Sequence, residues 1–163
     1  MLNIRPERSG DAAAVREVIA LAFGQPGEAE LVDTLRAAKT TLLSLVAESE
    51  GEIVGHILFS PVILQGDEAA FDALGLGPLA VRPEHQGRGV GSRLIEAGLE
   101  ACRQAGNDLI FVLGHPDYYP RFGFVPTRPL GVRCEYDVPD EAFMVAELRE
   151  GAQIGRASCR ERV

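Results

Sequence analysis

Residues 81–94 read Val81-Arg82-Pro83-Glu84-His85-Gln86-Gly87-Arg88-Gly89-Val90-Gly91-Ser92-Arg93-Leu94. A hydrophobic segment at 74–81 leads into this stretch and an amphipathic segment follows it, which predicts a strand, a glycine-rich turn and a helix. Glycines at positions 87, 89 and 91 remove every second side chain, so successive backbone N–H groups can close around an anion. The helix directs its positive dipole end into the same space. The stretch therefore predicts a site for a phosphate or a pyrophosphate.

The 163 residues have the length and composition of one globular domain, with 46% apolar and 25% charged residues. The net charge of -8 opposes binding to nucleic acid, because a phosphate backbone requires a basic surface. An acidic surface instead favours cationic partners such as amines.

Membrane, secreted and metal-binding proteins have sequence features that this chain does not share. Its apolar runs are too short to span a membrane, and its first residues do not form a signal peptide. The cysteines, Cys102, Cys134 and Cys159, are scattered, which fits a reducing cytoplasm better than a disulfide scaffold or a zinc site. We therefore expect a cytoplasmic protein that binds neither a membrane nor a metal.

Apolar periodicity predicts a mixture of strands and helices along the chain. Strands are predicted at 2–6, 42–48, 53–64, 74–81, 108–113, 123–127 and 143–148. Helices are predicted after a cap at Ser9 or Asp11, at 28–39, at 89–105 and at 118–122. The strand at 74–81 contains Gly75, Gly77 and Pro78, which predict a bulge or a local distortion.

The first two predicted helices each have a face of apolar residues, which we expect to pack on the core. In the first helix these are Val15, Val18, Ile19, Ala22 and Phe23. In the second they are Leu31, Val32 and Leu35.

Two common phosphate-binding motifs do not fit the glycine-rich stretch. A Walker A loop ends in Gly-Lys followed by Ser or Thr, whereas Ser92-Arg93 follows Gly91. A dinucleotide-binding G-x-G-x-x-G motif starting at Gly87 would need a glycine at position 92. Both motifs are excluded on these residues.

Gln86-Gly87-Arg88-Gly89-Val90-Gly91 has the form Q/R-x-x-G-x-G/A and resembles the acetyl-CoA loop of the GNAT superfamily of N-acetyltransferases. Further along, Tyr119-Pro120-Arg121-Phe122-Gly123-Phe124 resembles the Y-x-x-x-G-F signature of the same family. The order of predicted elements is also similar. Gly114-His115-Pro116-Asp117-Tyr118-Tyr119 resembles the YhbS-type bacterial subgroup.

The resemblance covers residues 1–150 and implies a single GNAT domain of the α/β class. Its fold would be a mixed, twisted central sheet of six to seven strands flanked by about four helices and splayed between the fourth and fifth strands. Residues 154–163 contain three arginines and no apolar periodicity. They predict a disordered tail, either native or introduced at a sequence junction.

The resemblance implies acetyl-CoA as co-substrate and no metal. Its pantetheine arm would pair with the backbone of Leu79, Ala80 and Val81, as an added strand does. Its pyrophosphate would lie on the glycine-rich loop, at Gln86, Gly87, Arg88, Gly89, Val90, Gly91 and Ser92.

Tyr119 and His115 are the two candidate catalytic residues. Tyr119 matches the family's general-acid tyrosine, which protonates the departing CoA thiolate, and Tyr118 is the adjacent alternative. Some relatives carry a glutamate base on the strand that corresponds to 74–81, which has no ionisable group here. His115 and a chain of water remain as candidate bases. Cys102 lies on the apolar face of a helix, which favours direct transfer over an acyl-cysteine intermediate.

Two functions follow from these residues. The first is an N-acetyltransferase that acts on a primary amine of a small molecule or of a protein, as a monomer or a homodimer. The second is an acyl-CoA-binding sensor or pseudoenzyme, which Tyr119 opposes and the missing carboxylate favours. Acceptor loops are expected at 23–30 and 128–141, whose sequences do not identify the amine.

Overall fold

Seven strands and three α-helices form the computed structural model, which describes residues 1–38, 43–65, 70–127 and 142–148. The strands are β1 (Leu2–Pro6), β2 (Leu43–Ser49), β3 (Glu52–Gln65), β4 (Ala70–Val81), β5 (Leu109–Leu113), β6 (Val125–Pro126) and β7 (Phe143–Glu147). The α-helices are α1 (Ala12–Phe23), α2 (Gly27–Ala37) and α3 (Val90–Gln104). Short 3₁₀-helices span Ser9–Asp11, Pro83–His85 and Tyr119–Phe122.

The strands follow the order β1-β2-β3-β4-β5-β7-β6 in one mixed sheet. The β4–β5 pair is parallel, and it joins residues 74–76 of β4 to residues 110–112 of β5. Both strands continue beyond this short register, β4 to Val81 and β5 to Leu113. The predicted α/β sheet of six to seven strands, splayed between the fourth and fifth strands, is therefore confirmed.

The short helix predicted at 118–122 is confirmed, although it is not an α-helix. This segment forms a 3₁₀-helix, Tyr119–Phe122, which is only four residues long. Gly123 ends it with a φ of 96°, a left-handed conformation that glycine adopts without strain.

The predicted side-chain cap of the first helix is also absent. Asp11 occupies the N-cap position of α1, but its carboxylate makes no hydrogen bond to the helix. It accepts hydrogen bonds from the Arg5 guanidinium at 2.8 Å and from the Arg8 backbone N–H at 2.7 Å. Ser9 lies in the 3₁₀-helix that precedes α1.

The described chain divides into two compact units, and the first consists of Met1–Ser60 and Gly77–Glu100. The helices α1 and α2 cover one face of its strands through a cluster of buried apolar residues: Val15, Val18, Ile19, Ala29, Val32, Val46, Ile53, Leu58 and Ala80. The helix α3 covers the other face, because a Cβ atom at Gly55 of β3 would lie 3.0 Å from both Leu94 and Val90.

A buried polar network lies in this first unit. The imidazole Nε2 of His56 is 2.7 Å from the Ser44 hydroxyl and 3.5 Å from a carboxylate oxygen of Glu7. Ser44 also donates a hydrogen bond to Glu7, and the Arg36 guanidinium lies 2.5 Å from the second oxygen of that carboxylate. His56 is fully buried and the Glu7 side chain is 6% exposed. The network therefore satisfies a carboxylate that burial alone would destabilise.

Acidification below pH 4.5 is expected to remove stability that ionised Glu7 provides. Burial raises the pKa of Glu7, but hydrogen bonds from His56 and Ser44 and the charge of Arg36 outweigh it and lower the pKa from 4.5 to about 2. A carboxyl whose pKa is lowered in the folded state stabilises the fold above its unfolded-state pKa, and this contribution is lost as the pH falls toward the folded value. The contribution is on the order of 3 kcal/mol.

Urea unfolding at several pH values between 7 and 2 measures this loss. The Glu7→Gln variant should be less stable at pH 7 and should lose less stability than the parent protein on acidification. Glu96→Gln, which alters an exposed carboxylate of α3, is the matched control and should keep the parent slope. An unchanged slope in Glu7→Gln would contradict the assignment.

The second unit consists of Pro61–Leu76 and the described residues from Ala101 onward. Its core contains Ala73, Phe111 and Val145, with Val62, Leu109 and Phe143 packed against them. The rings of Phe111 and Phe143 stack with their centroids 5.6 Å apart. The single domain over 1–150 stays a prediction, and the predicted tail at 154–163 lies outside the described residues.

Candidate active site

The backbone of the glycine-rich loop alternates in handedness. Gly87 has a φ of 77° and Gly89 a φ of 83°, whereas Arg88 between them does not have a positive φ. Alternation of this kind is the backbone pattern of an anion-binding nest, and residues 87–89 are called the nest below. A Cβ atom at Gly87 or Gly89 would meet nothing within 4 Å, so these glycines are required by the backbone conformation and not by crowding within the protein.

The loop opens directly into the N-terminus of α3. The N–H of Arg93 donates to the carbonyl of Gly89 at 3.1 Å, which is the first turn of the helix. The N–H groups of Val90 and Gly91 precede this bond and have no acceptor within the helix. The Val90 side chain is buried beside Gly55, while Gly87, Arg88 and Gly89 are exposed. The helix start is thus fixed in the core and the nest is open to solvent.

Hydrogen bonds tie the loop to the strands beneath it. The Gln86 side-chain amide donates to the carbonyl of Val81 at 3.0 Å, and the Arg82 N–H donates to the carbonyl of Val54 at 2.8 Å. Because successive residues direct their backbone groups to opposite edges of a strand, those of Leu79 and Val81 face away from β3. Ala80 is buried in the core of the first unit.

The two arginines of the loop region differ in their surroundings. The Arg82 guanidinium lies 3.9 Å from Glu17, 3.5 Å from Glu52 and 3.3 Å from Glu84, so carboxylates compensate its charge. Arg88 is exposed between the two glycines with positive φ. It is therefore the cation best placed to meet an anion on the nest.

Tyr119 begins the 3₁₀-helix of the second unit and is 8% exposed. Its ring packs edge-on against Tyr118 and Phe124, with centroid distances of 5.2 and 5.7 Å. Burial and the neighbouring Tyr118 raise the pKa of Tyr119 to about 12. The hydroxyl is therefore protonated at neutral pH and is available as a hydrogen-bond or proton donor.

His115 contributes to this turn through its backbone. Its carbonyl accepts hydrogen bonds from the N–H groups of Tyr118 at 3.1 Å and Tyr119 at 3.3 Å, and its side chain is exposed. Tyr118 packs edge-on against Phe122, and the Arg121 guanidinium lies 4.9 Å from the centre of the Tyr118 ring. Tyr118 is thus held by its neighbours in the turn.

The predicted site residues form two groups. Leu79 to Val81 and Gln86 to Ser92 lie together in the first unit, and His115 and Tyr119 lie together in the second. Gly114 belongs to the motif at 114–119 and has no role predicted from the sequence, but it lies against the ring of Tyr119. A glycine immediately before His115 was the only hint in the sequence that this position matters. Its contact with Tyr119 is visible only in the structure.

Among the described residues, no cluster of three His, Cys, Asp or Glu side chains could hold a metal ion. In the same part of the chain, no helix is long and apolar enough to cross a membrane.

Cys102 of α3 is expected to resist thiol reagents and to carry no acetyl group during turnover. It is fully buried, and burial raises the pKa of its thiol to about 12, which suppresses the reactive thiolate. Peptide mass mapping after incubation with acetyl-CoA should recover an unmodified Cys102 peptide, and denaturation should restore its reactivity. Cys102→Ala should retain kcat. An acetylated Cys102, lost on hydroxylamine treatment, would contradict direct transfer. Cys134 and Cys159 lie outside the described residues.

A nest at the start of a helix that follows the splayed strand of a mixed sheet is the arrangement of an acetyltransferase fold. A family model described as an acetyltransferase (GNAT) domain matches residues 3–127 of the chain. The chain therefore belongs to the GNAT family of acetyltransferases, and the resemblance seen in its motifs is confirmed.

Two relatives from Escherichia coli strain K12 support this assignment. The chain is 46% identical over 134 residues to the uncharacterized N-acetyltransferase YjhQ, which covers 80% of this chain and 74% of YjhQ. It is 34% identical over 153 residues to the uncharacterized N-acetyltransferase YhbS, which covers 93% of this chain and 90% of YhbS.

Solved structures show the same fold. The GNAT family N-acetyltransferase YhbS from Escherichia coli, in complex with CoA, matches with a TM-score of 0.87 and 30% identity over 96% of this chain and 86% of that chain. A GNAT family acetyltransferase from Brucella melitensis, in complex with acetyl-CoA, matches with a TM-score of 0.74 and 41% identity over 90% and 88% of the two chains.

Proposed function

We propose that this acetyltransferase moves an acetyl group from acetyl-CoA to a primary amine by direct attack in a ternary complex. The observation that carries the proposal is the nest at Gly87 and Gly89, which opens into the N-terminus of α3. Its chemistry suits a diphosphate, and the two structural relatives described above contain CoA or acetyl-CoA.

We assign cofactor binding to the residues predicted from the sequence. The N–H groups of residues 87–92 would receive the pyrophosphate, and the Arg88 side chain would add a positive charge. The backbone of Leu79 to Val81 would pair with the amides of the pantetheine arm. Since Gln86 occupies the Val81 carbonyl, that pairing would use the Val81 N–H and the backbone groups of Leu79.

The proposed reaction is nucleophilic substitution at a thioester. A neutral amine nitrogen attacks the carbonyl carbon, and the tetrahedral intermediate collapses as the carbon–sulfur bond breaks. The surplus proton of the amine passes to His115 or to water, while Tyr119 protonates the departing CoA sulfur. Solvent then reprotonates Tyr119, so the products are an acetamide and free CoA.

The acceptor is proposed as an amine of a small molecule or of a protein, since the net charge of -8 attracts cations. Of the two proposed acceptor segments, 128–141 lies outside the described residues. The other, 23–30, lies among them, where α2 begins at Gly27 and leaves only 24–26 as a loop. We further propose that the enzyme works in the cytoplasm as a monomer or a homodimer. The cytoplasmic assignment rests on the scattered cysteines of the sequence.

Calorimetric titration with acetyl-CoA, followed by a thiol-release assay over a panel of amines, tests the proposed function. Binding together with amine-dependent CoA release would support an N-acetyltransferase. Binding with no release for any amine would favour the alternative function, an acyl-CoA sensor. Absence of binding would contradict both.

A further inference from the structure

Gly114 follows β5 and lies against the Tyr119 ring. A Cβ atom at this position would be 2.3 Å from Cε2, 2.8 Å from Cδ2 and 3.2 Å from Cζ of that ring. The φ of Gly114 is not positive, so its backbone conformation is open to any residue. The ring of Tyr119 is therefore what requires a glycine here.

Neither the Gly114 backbone nor the Tyr119 ring can move without breaking other contacts. The Gly114 N–H donates to the carbonyl of Ala142 at 2.9 Å, next to the pairing of Leu113 with Phe143. On the other side, the Tyr119 N–H is bonded to His115, and the Tyr119 ring packs against Phe124, which is 1% exposed. A methyl group at position 114 would have to move the tyrosine ring by about 1 Å to reach ordinary van der Waals contact at 3.4 Å.

We propose that Gly114 is a positioning residue for the Tyr119 hydroxyl. The inference rests on the general-acid role of Tyr119 under the proposed function. Proton transfer requires the donor within hydrogen-bond reach of the leaving group, and a misplacement of about 1 Å costs up to about 10²-fold in rate. Because Gly114 has no side chain, the Tyr119 ring can occupy the position that places its hydroxyl.

A double-mutant cycle of Gly114→Ala and Tyr119→Phe tests the proposal. Gly114→Ala alone should lower kcat by about tenfold or more and leave the acetyl-CoA dissociation constant unchanged. In the Tyr119→Phe background the hydroxyl is already absent, so adding Gly114→Ala should lower kcat by less than about twofold. Gly98→Ala is the matched control. Its Cβ would meet the Phe59 ring at 2.5 Å in the first unit, so it should lower the melting temperature but keep kcat.

The outcomes separate this inference from the role on which it rests. Full turnover in Tyr119→Phe would remove the general acid and the positioning role together. Loss of turnover in Tyr119→Phe with normal kcat in Gly114→Ala would overturn the inference alone. An undiminished effect of Gly114→Ala in the Phe background would also overturn it.

A stability measurement covers the case in which Gly114→Ala does not fold. Tyr119→Ala removes the ring atoms Cε2, Cδ2 and Cζ that the new methyl group would strike. Gly114→Ala should therefore lower the melting temperature of Tyr119→Ala much less than it lowers that of the parent protein. An equal loss in both backgrounds would show that the ring is not the obstacle and would overturn the inference.

Discussion

Gly89→Glu is expected to abolish measurable acetyl-CoA binding while the protein stays folded. Gly89 has a φ of 83°, so a side chain there strains the backbone by about 1–2 kcal/mol and disturbs the nest. The new carboxylate would also stand at the N-terminus of α3, where the diphosphate is proposed to bind. Steric, conformational and electrostatic effects all act in the same direction. Calorimetric titration should show an affinity loss of about 10²-fold or more.

Gly51→Glu provides a control with the same strain and the same charge. Gly51 has a φ of 81° and is exposed at the turn between β2 and β3, where a Cβ atom would meet nothing within 4 Å. This variant should lose similar stability and keep its affinity for acetyl-CoA. Gly89→Ala separates strain from charge and should lose less affinity than Gly89→Glu. Unchanged affinity in folded Gly89→Glu would contradict the cofactor assignment.

The sequence predicted the glycine-rich loop well because that loop is a local feature. Positive φ at Gly87 and Gly89 and a helix start at Val90 depend on residues next to one another, so the pattern of glycines is enough to read them. The assignment to the GNAT family followed from this loop and from the segment at 119–124, and the family model confirms it.

Predictions that depend on competition between partners were less accurate. Asp11 has the right position for a helix cap, but Arg5 takes its carboxylate. Leu31 was expected on the buried face of α2, yet it is 49% exposed, whereas Val32 is buried as predicted and Ala29 is buried beside it. Phe23, at the end of α1, is 39% exposed. Apolar periodicity alone could not resolve which side of these short helices faces the core.

The surroundings of Tyr119 were beyond sequence reasoning for a similar reason. Its contact with Gly114 depends on how the chain turns between β5 and the 3₁₀-helix, and five residues of irregular backbone can turn in many ways. The motif located the tyrosine, while packing against Tyr118 and Phe124 sets its burial and raises its pKa.

Tyr119→Phe is expected to lower kcat by about 10²-fold or more with little change in acetyl-CoA affinity, because the lost hydroxyl acts mainly in the transition state. The ring remains, so its contacts with Tyr118 and Phe124 should survive and the melting temperature should stay close to that of the parent. Tyr118→Phe, which removes the neighbouring hydroxyl, is the control and should retain most of the turnover. Single-turnover and steady-state CoA release with an identified amine measure the effect, and acetyl-CoA hydrolysis can serve until an amine is known.

The pH profile gives a second test of the same hydroxyl. With a pKa raised to about 12, Tyr119 keeps its proton across the working range, so its own ionisation should not reduce kcat below about pH 11. Any fall in rate toward low pH would then come from another group, such as the acceptor amine, and it should persist in Tyr119→Phe. A Phe variant with full turnover would reduce Tyr119 to a packing residue. The proton donor would then have to be Tyr118 or His115. Loss of turnover in Tyr118→Phe, with turnover retained in His115→Ala, would identify Tyr118, and the reverse result would assign the role to His115.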